Sequence, residues 1–187
     1  MKRLFLVPGM AKAGTTFLFD QLVESKDVFN IPDRKEISLF QKNAGVSEEK
    51  FLQRFPDGSE DRIYLDVSPV YLNTGPEVPG RVADVLPDWD IRVLILVRDP
   101  VSTLFSHYLH NLKSHYGRLS SRRARPARYS LADDAVLRKY IRPKYETIMT
   151  YCGIFENRCA VMPMNALFDG RAETRIERAL LHGSGFG

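Results

Sequence analysis

A run of four apolar residues, Leu4-Phe5-Leu6-Val7, stops at Pro8-Gly9, and the apolar pattern resumes beyond Gly14 at a different spacing, with Phe17, Leu18, Leu22 and Val23 on one helical stripe. A short continuous apolar run bounded by turn formers is a strand buried on both faces, and the spacing that follows it is that of a helix. The chain therefore opens with a strand over 2–7, a glycine-containing turn over 8–14 and a helix over 15–25. Further strands are expected at 63–66, at 92–97 around the strongest apolar run Val93-Leu94-Ile95-Leu96-Val97, and at 159–162. Helices are expected over 101–114, over 131–152 with a break around Pro143, and over 173–182. Strands alternating with helices imply an α/β fold of three layers, a mainly parallel central sheet flanked by helices.

At 187 residues the chain has the size of one domain, and its 44 % hydrophobic and 27 % charged residues exclude a largely disordered protein. No stretch approaches the roughly 20 apolar residues that span a bilayer, and the apolar start is too short for a signal-peptide core. Cys152 and Cys159 are too few for a disulfide framework; they read as reduced core residues and point to a cytoplasmic setting. The formal net charge of +4 is local in origin. Arg118, Arg122, Arg123, Arg125 and Arg128 crowd one acid-free stretch, and without these five it becomes −1, which removes most of the support for a nucleic-acid-binding protein.

Gly9-Met10-Ala11-Lys12-Ala13-Gly14-Thr15-Thr16 has the glycine spacing of a nucleotide P-loop and ends on a hydroxyl residue. Thr15 stands where that motif places lysine, and the lysine of this loop, Lys12, comes three residues earlier. The backbone amides of Lys12, Ala13, Gly14, Thr15 and Thr16, at a helix N-terminus, suit an anionic group. The same residues also suit a plain glycine connection with threonine caps. A second motif decides between the two: Val97-Arg98-Asp99-Pro100-Val101-Ser102-Thr103-Leu104-Phe105-Ser106-His107-Tyr108 directly follows the strongest strand. An arginine at the carboxyl end of a parallel strand faces the ligand crevice of an open α/β sheet, and Ser106 lies two turns into a helix started by Pro100.

Together the two motifs resemble those of sulfotransferases that use 3'-phosphoadenosine 5'-phosphosulfate (PAPS). The loop is similar to their P-K-S/G-G-T-T element, and Arg98 to Tyr108 to their R-D-P-x-x-x-x-x-S-x-Y element. Lys35-Glu36-Ile37-Ser38-Leu39-Phe40 is similar to the K/N-E-x-H-F-F segment of the carbohydrate, heparan-type branch and its bacterial relatives. Asp66-Val67-Ser68-Pro69-Val70-Tyr71-Leu72 resembles its E-K-S/T-P-x-Y-L/F segment, with Val67 in the place of lysine. Phe155 and Met164-Asn165-Ala166-Leu167 are similar to a later strand and E-D-L turn, with Asn165 in the place of a carboxylate. The resemblance implies a single P-loop-like sulfotransferase domain over 1–187. It also implies a C-terminal loop closing over the cofactor; the chain stops at Gly187, so that loop is expected to be lacking or replaced by residues such as the arginine stretch.

The resemblance further implies that Lys12, Ala13, Gly14, Thr15 and Thr16 bind the 5'-phosphosulfate and that Arg98 and Ser106 bind the 3'-phosphate. Glu36 inherits the role of catalytic base toward an acceptor hydroxyl, on a saccharide; apart from the resemblance, His107 is the alternative base, because histidine often plays that part. Lys12 stabilises the leaving phosphate, the product being 3',5'-bisphosphoadenosine (PAP). No metal is implied, and no cluster with ligand spacing is present. The arginine stretch reads as a solvated loop, as a dock for an anionic acceptor, or as a nucleic-acid contact. Phe17, Phe19, Phe51, Phe55 and Trp89 read as core or groove lining. Two other functions stay open on the sequence: a P-loop nucleotide kinase or NTPase, and a non-catalytic binder of nucleotides or polyanions.

Overall fold

Five strands lie side by side in the order β2-β3-β1-β4-β5, every neighbouring pair parallel, in a computed structural model that describes residues 1–25, 27–41, 45–119 (backbone alone over 111–119), 144–171, 173–174 and 176–177. The strands are β1 (Arg3–Val7), β2 (Phe29–Asn30), β3 (Ile63–Val67), β4 (Asp90–Val97) and β5 (Cys159–Pro163). Their apolar runs are continuous because the sheet is covered on both faces. Alternate side chains feed two separate cores. Leu4, Leu6, Tyr64, Val93 and Ile95 face one, and Phe5, Val7, Leu65, Val67, Leu94 and Leu96 face the other.

The first core is closed by α2 (Glu48–Leu52), α3 (Val70–Thr74), α4 (Glu77–Val85) and α6 (Tyr145–Phe155), which supply Phe51, Tyr71, Leu72, Val78, Val82, Tyr151 and Phe155. The second is closed by α1 (Thr15–Val23), through Leu18 and Leu22, and by the 3-10 turn Met164–Leu167. Helices on both faces of a parallel sheet are the expected three layers. α5 (Pro100–Leu119) begins one residue earlier and runs longer than expected. Asp99 explains its start, since its carboxylate accepts the Ser102 N–H at 2.7 Å and caps the helix.

Phe51, Phe55 and Trp89 are core residues, stacked edge to face with Phe40 and Tyr64 nearby. Phe17 instead is partly exposed against Phe168, with ring centroids 4.9 Å apart, on a groove beside α1. Cys159 is buried and Cys152 half-buried, both as free thiols, with Sγ atoms 3.6 Å apart. Among the described residues no helix is long and apolar enough to cross a membrane. Arg122, Arg123, Arg125 and Arg128, the 131–143 part of one expected helix and most of the 173–182 helix lie outside the described residues, as do the side chain of Arg118 and the C-terminal residues after Glu177.

Candidate functional site

β1 lies at the centre of the sheet, and the loop after it leaves from the carboxyl edge, where parallel sheets bind ligands. The loop is pinned before it turns. Leu96 N–H donates to Gly9 O at 2.9 Å, and Leu72 N–H to Pro8 O at 2.9 Å, so the ends of β4 and α3 hold it from both sides. Gly9 is required for that close approach: a Cβ there would sit 2.7 Å from the Cβ of Leu72. Gly14 has φ +87° at the helix start, and its Cβ would meet Leu167 at 2.8 Å. Between them Lys12 also takes a left-handed conformation, φ +68°, at a cost of roughly 1 kcal/mol or more for a residue with a side chain.

The curvature of this loop divides its amides. Ala13 N–H turns inward to Met10 O, 3.1 Å away, and the Ala13 side chain is fully buried, so this residue builds the turn. The sequence expectation counts the Ala13 amide among those that meet the phosphosulfate; here that amide is engaged within the loop. The first helical bond runs from Leu18 N–H to Gly14 O. No acceptor among the described residues takes the N–H groups of Gly14, Thr15 or Thr16, which is the ordinary condition of a helix N-terminus and the basis of anion binding there.

Three cations gather around this loop. Arg98 donates from Nη1 to Lys12 O at 2.9 Å, which fastens the arginine to the loop. Lys35 Nζ donates to Thr16 Oγ1 at 3.0 Å and stands 3.5 Å from Glu36 Oε1. Burial, followed by the charges of Arg98 and Lys35, pushes the Lys12 ammonium below the usual lysine range. Clustered positive charge of this kind costs stability until an anion joins it. The Glu36 side chain is 49 % exposed, so its carboxylate is open to an incoming molecule.

The remaining expected residues are less closely gathered. Ser106 is half-buried on α5, and no hydrogen bond links it to Arg98 among the described residues. His107 is only 5 % exposed; burial and then the charges of Lys12, His110 and Lys144 push its imidazole down to about 4, so it is neutral at pH 7. Thr15 is 4 % exposed, so the position that carries lysine in a nucleotide P-loop points into the protein. Beside Arg98 a cleft of about 430 Å³ opens at the ends of β4 and β5, lined by Asp99, Met164, Asn165 and Phe168. Among the described residues no group of three or more His, Cys, Asp or Glu is placed to hold a metal ion.

Lys35 and a second constellation were not singled out as site residues from the sequence. Asp66, fully buried near the end of β3, accepts hydrogen bonds from Ser68 Oγ–H at 2.5 Å and Tyr71 O–H at 2.9 Å. Burial pushes its carboxyl up to about 7, against the opposing pull of these two hydroxyls and with a further push from Glu36. Val67, where the resemblance expects lysine, is wholly buried in the second core, so no cation reaches the site from there. The motif Asp66 to Tyr71 was the available signal, but its partners lie some thirty residues away.

No family model matches the sequence. Among solved structures, the sulfotransferase from Alicyclobacillus acidocaldarius matches 97 % of this chain and 81 % of its own, with a TM-score of 0.71 at 20 % sequence identity. Agreement over nearly the whole chain at such low identity is agreement in fold. The chain has the fold of a sulfotransferase.

Proposed function

We propose that this protein transfers a sulfuryl group from PAPS to a hydroxyl of a saccharide acceptor, in a cytoplasmic setting. The observation that carries the reading is the gathering of Lys12, Lys35 and Arg98 around the loop that ends in the open amides of Gly14, Thr15 and Thr16, with the Lys12 ammonium held below its usual range. Such a site suits an anionic group. The cleft beside Arg98, with Met164 and Phe168 in its wall, suits the nucleoside of a bisphosphorylated nucleotide. Arg98 and Ser106 are assigned to the 3'-phosphate on the resemblance of their motif.

In the reaction the acceptor oxygen forms a bond to sulfur as the bond from sulfur to the bridging phosphate oxygen breaks. Glu36 takes the proton of the acceptor hydroxyl, because its carboxylate is exposed and borders Lys35 at the cradle. His107 is the weaker candidate: it is buried, and an imidazole pushed down to about 4 is a poor proton acceptor. Lys12 and the amides of Gly14 to Thr16 stabilise the charge that grows on the departing phosphate. Transfer of this kind rests on positioning and charge rather than on covalent help from the protein. The kinase or NTPase alternative is disfavoured by the buried Thr15 in the P-loop lysine position.

The test is sulfate transfer from PAPS across a saccharide panel by wild type and Glu36→Gln. We expect transfer by wild type, and a loss of about 100-fold or more in kcat with PAP affinity kept in the variant. Unchanged turnover removes Glu36 from the mechanism, and PAP binding without transfer to any acceptor supports a non-catalytic nucleotide-binding protein instead.

A further inference from the structure

Both oxygens of the buried Asp66 carboxylate are occupied, and what occupies them leads back to the candidate base. Ser68 Oγ donates to Oδ1 and accepts the Ser38 N–H at 3.0 Å; Tyr71 OH donates to Oδ2 and accepts the Phe40 N–H at 3.4 Å. With Asp66 ionised, the direction of every bond is forced. A backbone amide only donates, so each hydroxyl must accept from it and send its own proton to the carboxylate. A protonated Asp66 would donate to one of those hydroxyls, whose own proton would then have to turn elsewhere.

The segment that receives these bonds needs them. Ser38 is a non-glycine residue at φ +55°, a conformation that persists only where its surroundings impose it. Ile37 is buried in the first core, and immediately before it stand Glu36 and Lys35, the latter reaching Thr16. We infer that Asp66 is a positioning residue: its carboxylate, acting through the Ser68 and Tyr71 hydroxyls on the amides of Ser38 and Phe40, sets where Glu36 and Lys35 stand beside the loop after β1. This rests on the sulfotransferase reading only in giving Glu36 and Lys35 their roles. The relay itself is a property of the fold.

The relay has a pH dependence because Asp66 titrates near neutrality, burial raising its pKa to about 7. The titratable groups around it are Glu36 on the positioned segment, whose charge adds to that rise, Tyr71 on α3 and Tyr151 on α6. Both tyrosines are held well above their usual range, first of all by burial and then by the charge of Asp66, so neither ionises at physiological pH.

The experiment is residue-resolved amide hydrogen exchange from pH 5.5 to 8.5, expressed as protection relative to the unstructured rate, on wild type, Asp66→Asn, Ser68→Ala and Tyr71→Phe. In wild type, a local opening that frees the Ser38 and Phe40 amides while Asp66 stays buried breaks the two hydroxyl bonds that favour its ionised form, so local protection of these amides rises with pH as Asp66 ionises, opposite in sign to the global unfolding slope. Asp66→Asn flattens that profile and lowers protection at both amides by about tenfold or more at pH 8, ~1.4 kcal/mol per tenfold. Ser68→Ala removes protection at Ser38 first and Tyr71→Phe at Phe40 first, which keeps the inference testable should Asp66→Asn fail to fold. Equal exchange in all four proteins, or a pH profile that survives in Asp66→Asn, overturns it. Paired assays separate the two claims. Loss of kcat in Asp66→Asn with PAP affinity kept supports the positioning role; wild type that neither binds PAP nor transfers sulfate refutes the function while the exchange profile still reads the relay.

Discussion

The loop after β1 and the corner after β3 sit side by side at the carboxyl edge of one sheet, and they meet the same physical demand in opposite ways. Each holds a residue with a side chain in the left-handed conformation, Lys12 in the first and Ser38 beside the second. Around Lys12 the amides of Gly14, Thr15 and Thr16 have no acceptor among the described residues, and cations repel one another. Around Ser38 every hydroxyl of the relay both donates and accepts, and the carboxylate they share, Asp66, is fully buried. An unsatisfied region open to solvent waits for a ligand; a satisfied one in the interior fixes shape. The first is where binding energy is available, and the second is what keeps the groups around it in place.

Breaking the open side gives the largest effect. Lys12→Ala should lower kcat for sulfate transfer by about 100- to 1000-fold, as loss of a preorganised charge stabiliser does, while the Tm stays within a few degrees of wild type. A smaller, structural break is Gly14→Ala. The left-handed backbone and the contact with Leu167 predict a loss of about 1–3 kcal/mol, read as a Tm lowered by several degrees, together with weaker PAP binding.

The pH behaviour of two buried groups sharpens the comparison further. His107, ordinarily near 6.5, titrates near 4 in the folded protein, so between those values the unfolded chain holds a proton that the folded chain does not. Its contribution to stability is present above about 6.5 and is lost as pH falls toward 4. Asp66, ordinarily near 3.8, titrates near 7, so there the folded chain holds the extra proton and stability is lost as pH rises from about 4 to 7. The two slopes oppose each other across pH 4 to 6.5, each with a limit of about 1.4 kcal/mol per pH unit. Urea unfolding over that window should show His107→Gln gaining on wild type as pH falls and Asp66→Asn gaining as pH rises. Slopes of the same sign in both variants would contradict this assignment of charge. The smallest effect belongs to Asp99, where Asp99→Asn keeps an acceptor for Ser102 N–H and should leave the Tm unchanged, whereas Asp99→Ala should lower it slightly.

What the sequence revealed follows the same division between local and long-range causes. β1, β3, β4 and β5 were legible to within a residue or two because a strand buried on both faces is a continuous apolar run. β2 has two residues, and α2 and α3 five each, too short for any periodicity. α4 was hidden by Pro79-Gly80, which reads as a breaker; Pro79 stands in the first helical turn, where its missing N–H costs nothing. In the site, the glycine loop and Arg98 were visible because spacing along the chain carries them. The inward turn of the Ala13 amide depends on loop curvature, and Lys35 reaches Thr16 across nineteen positions. The relay from Asp66 to Ser38 and Phe40 depends on β3 and α3 facing a segment far back in the sequence, which no local pattern encodes.

The central claim is that the cationic cradle takes a sulfated or bisphosphorylated adenosine and not a nucleoside triphosphate. The most direct measurement is the thermal shift of wild type and Lys12→Ala with PAP and with magnesium-ATP at matched concentration and ionic strength. A ligand at about 100 times its Kd adds roughly 2.7 kcal/mol, or roughly 5–10 °C for a domain of this size. A shift of that order is expected with PAP alone, reduced in Lys12→Ala; a shift with magnesium-ATP alone, or with neither ligand, contradicts a cradle for PAP.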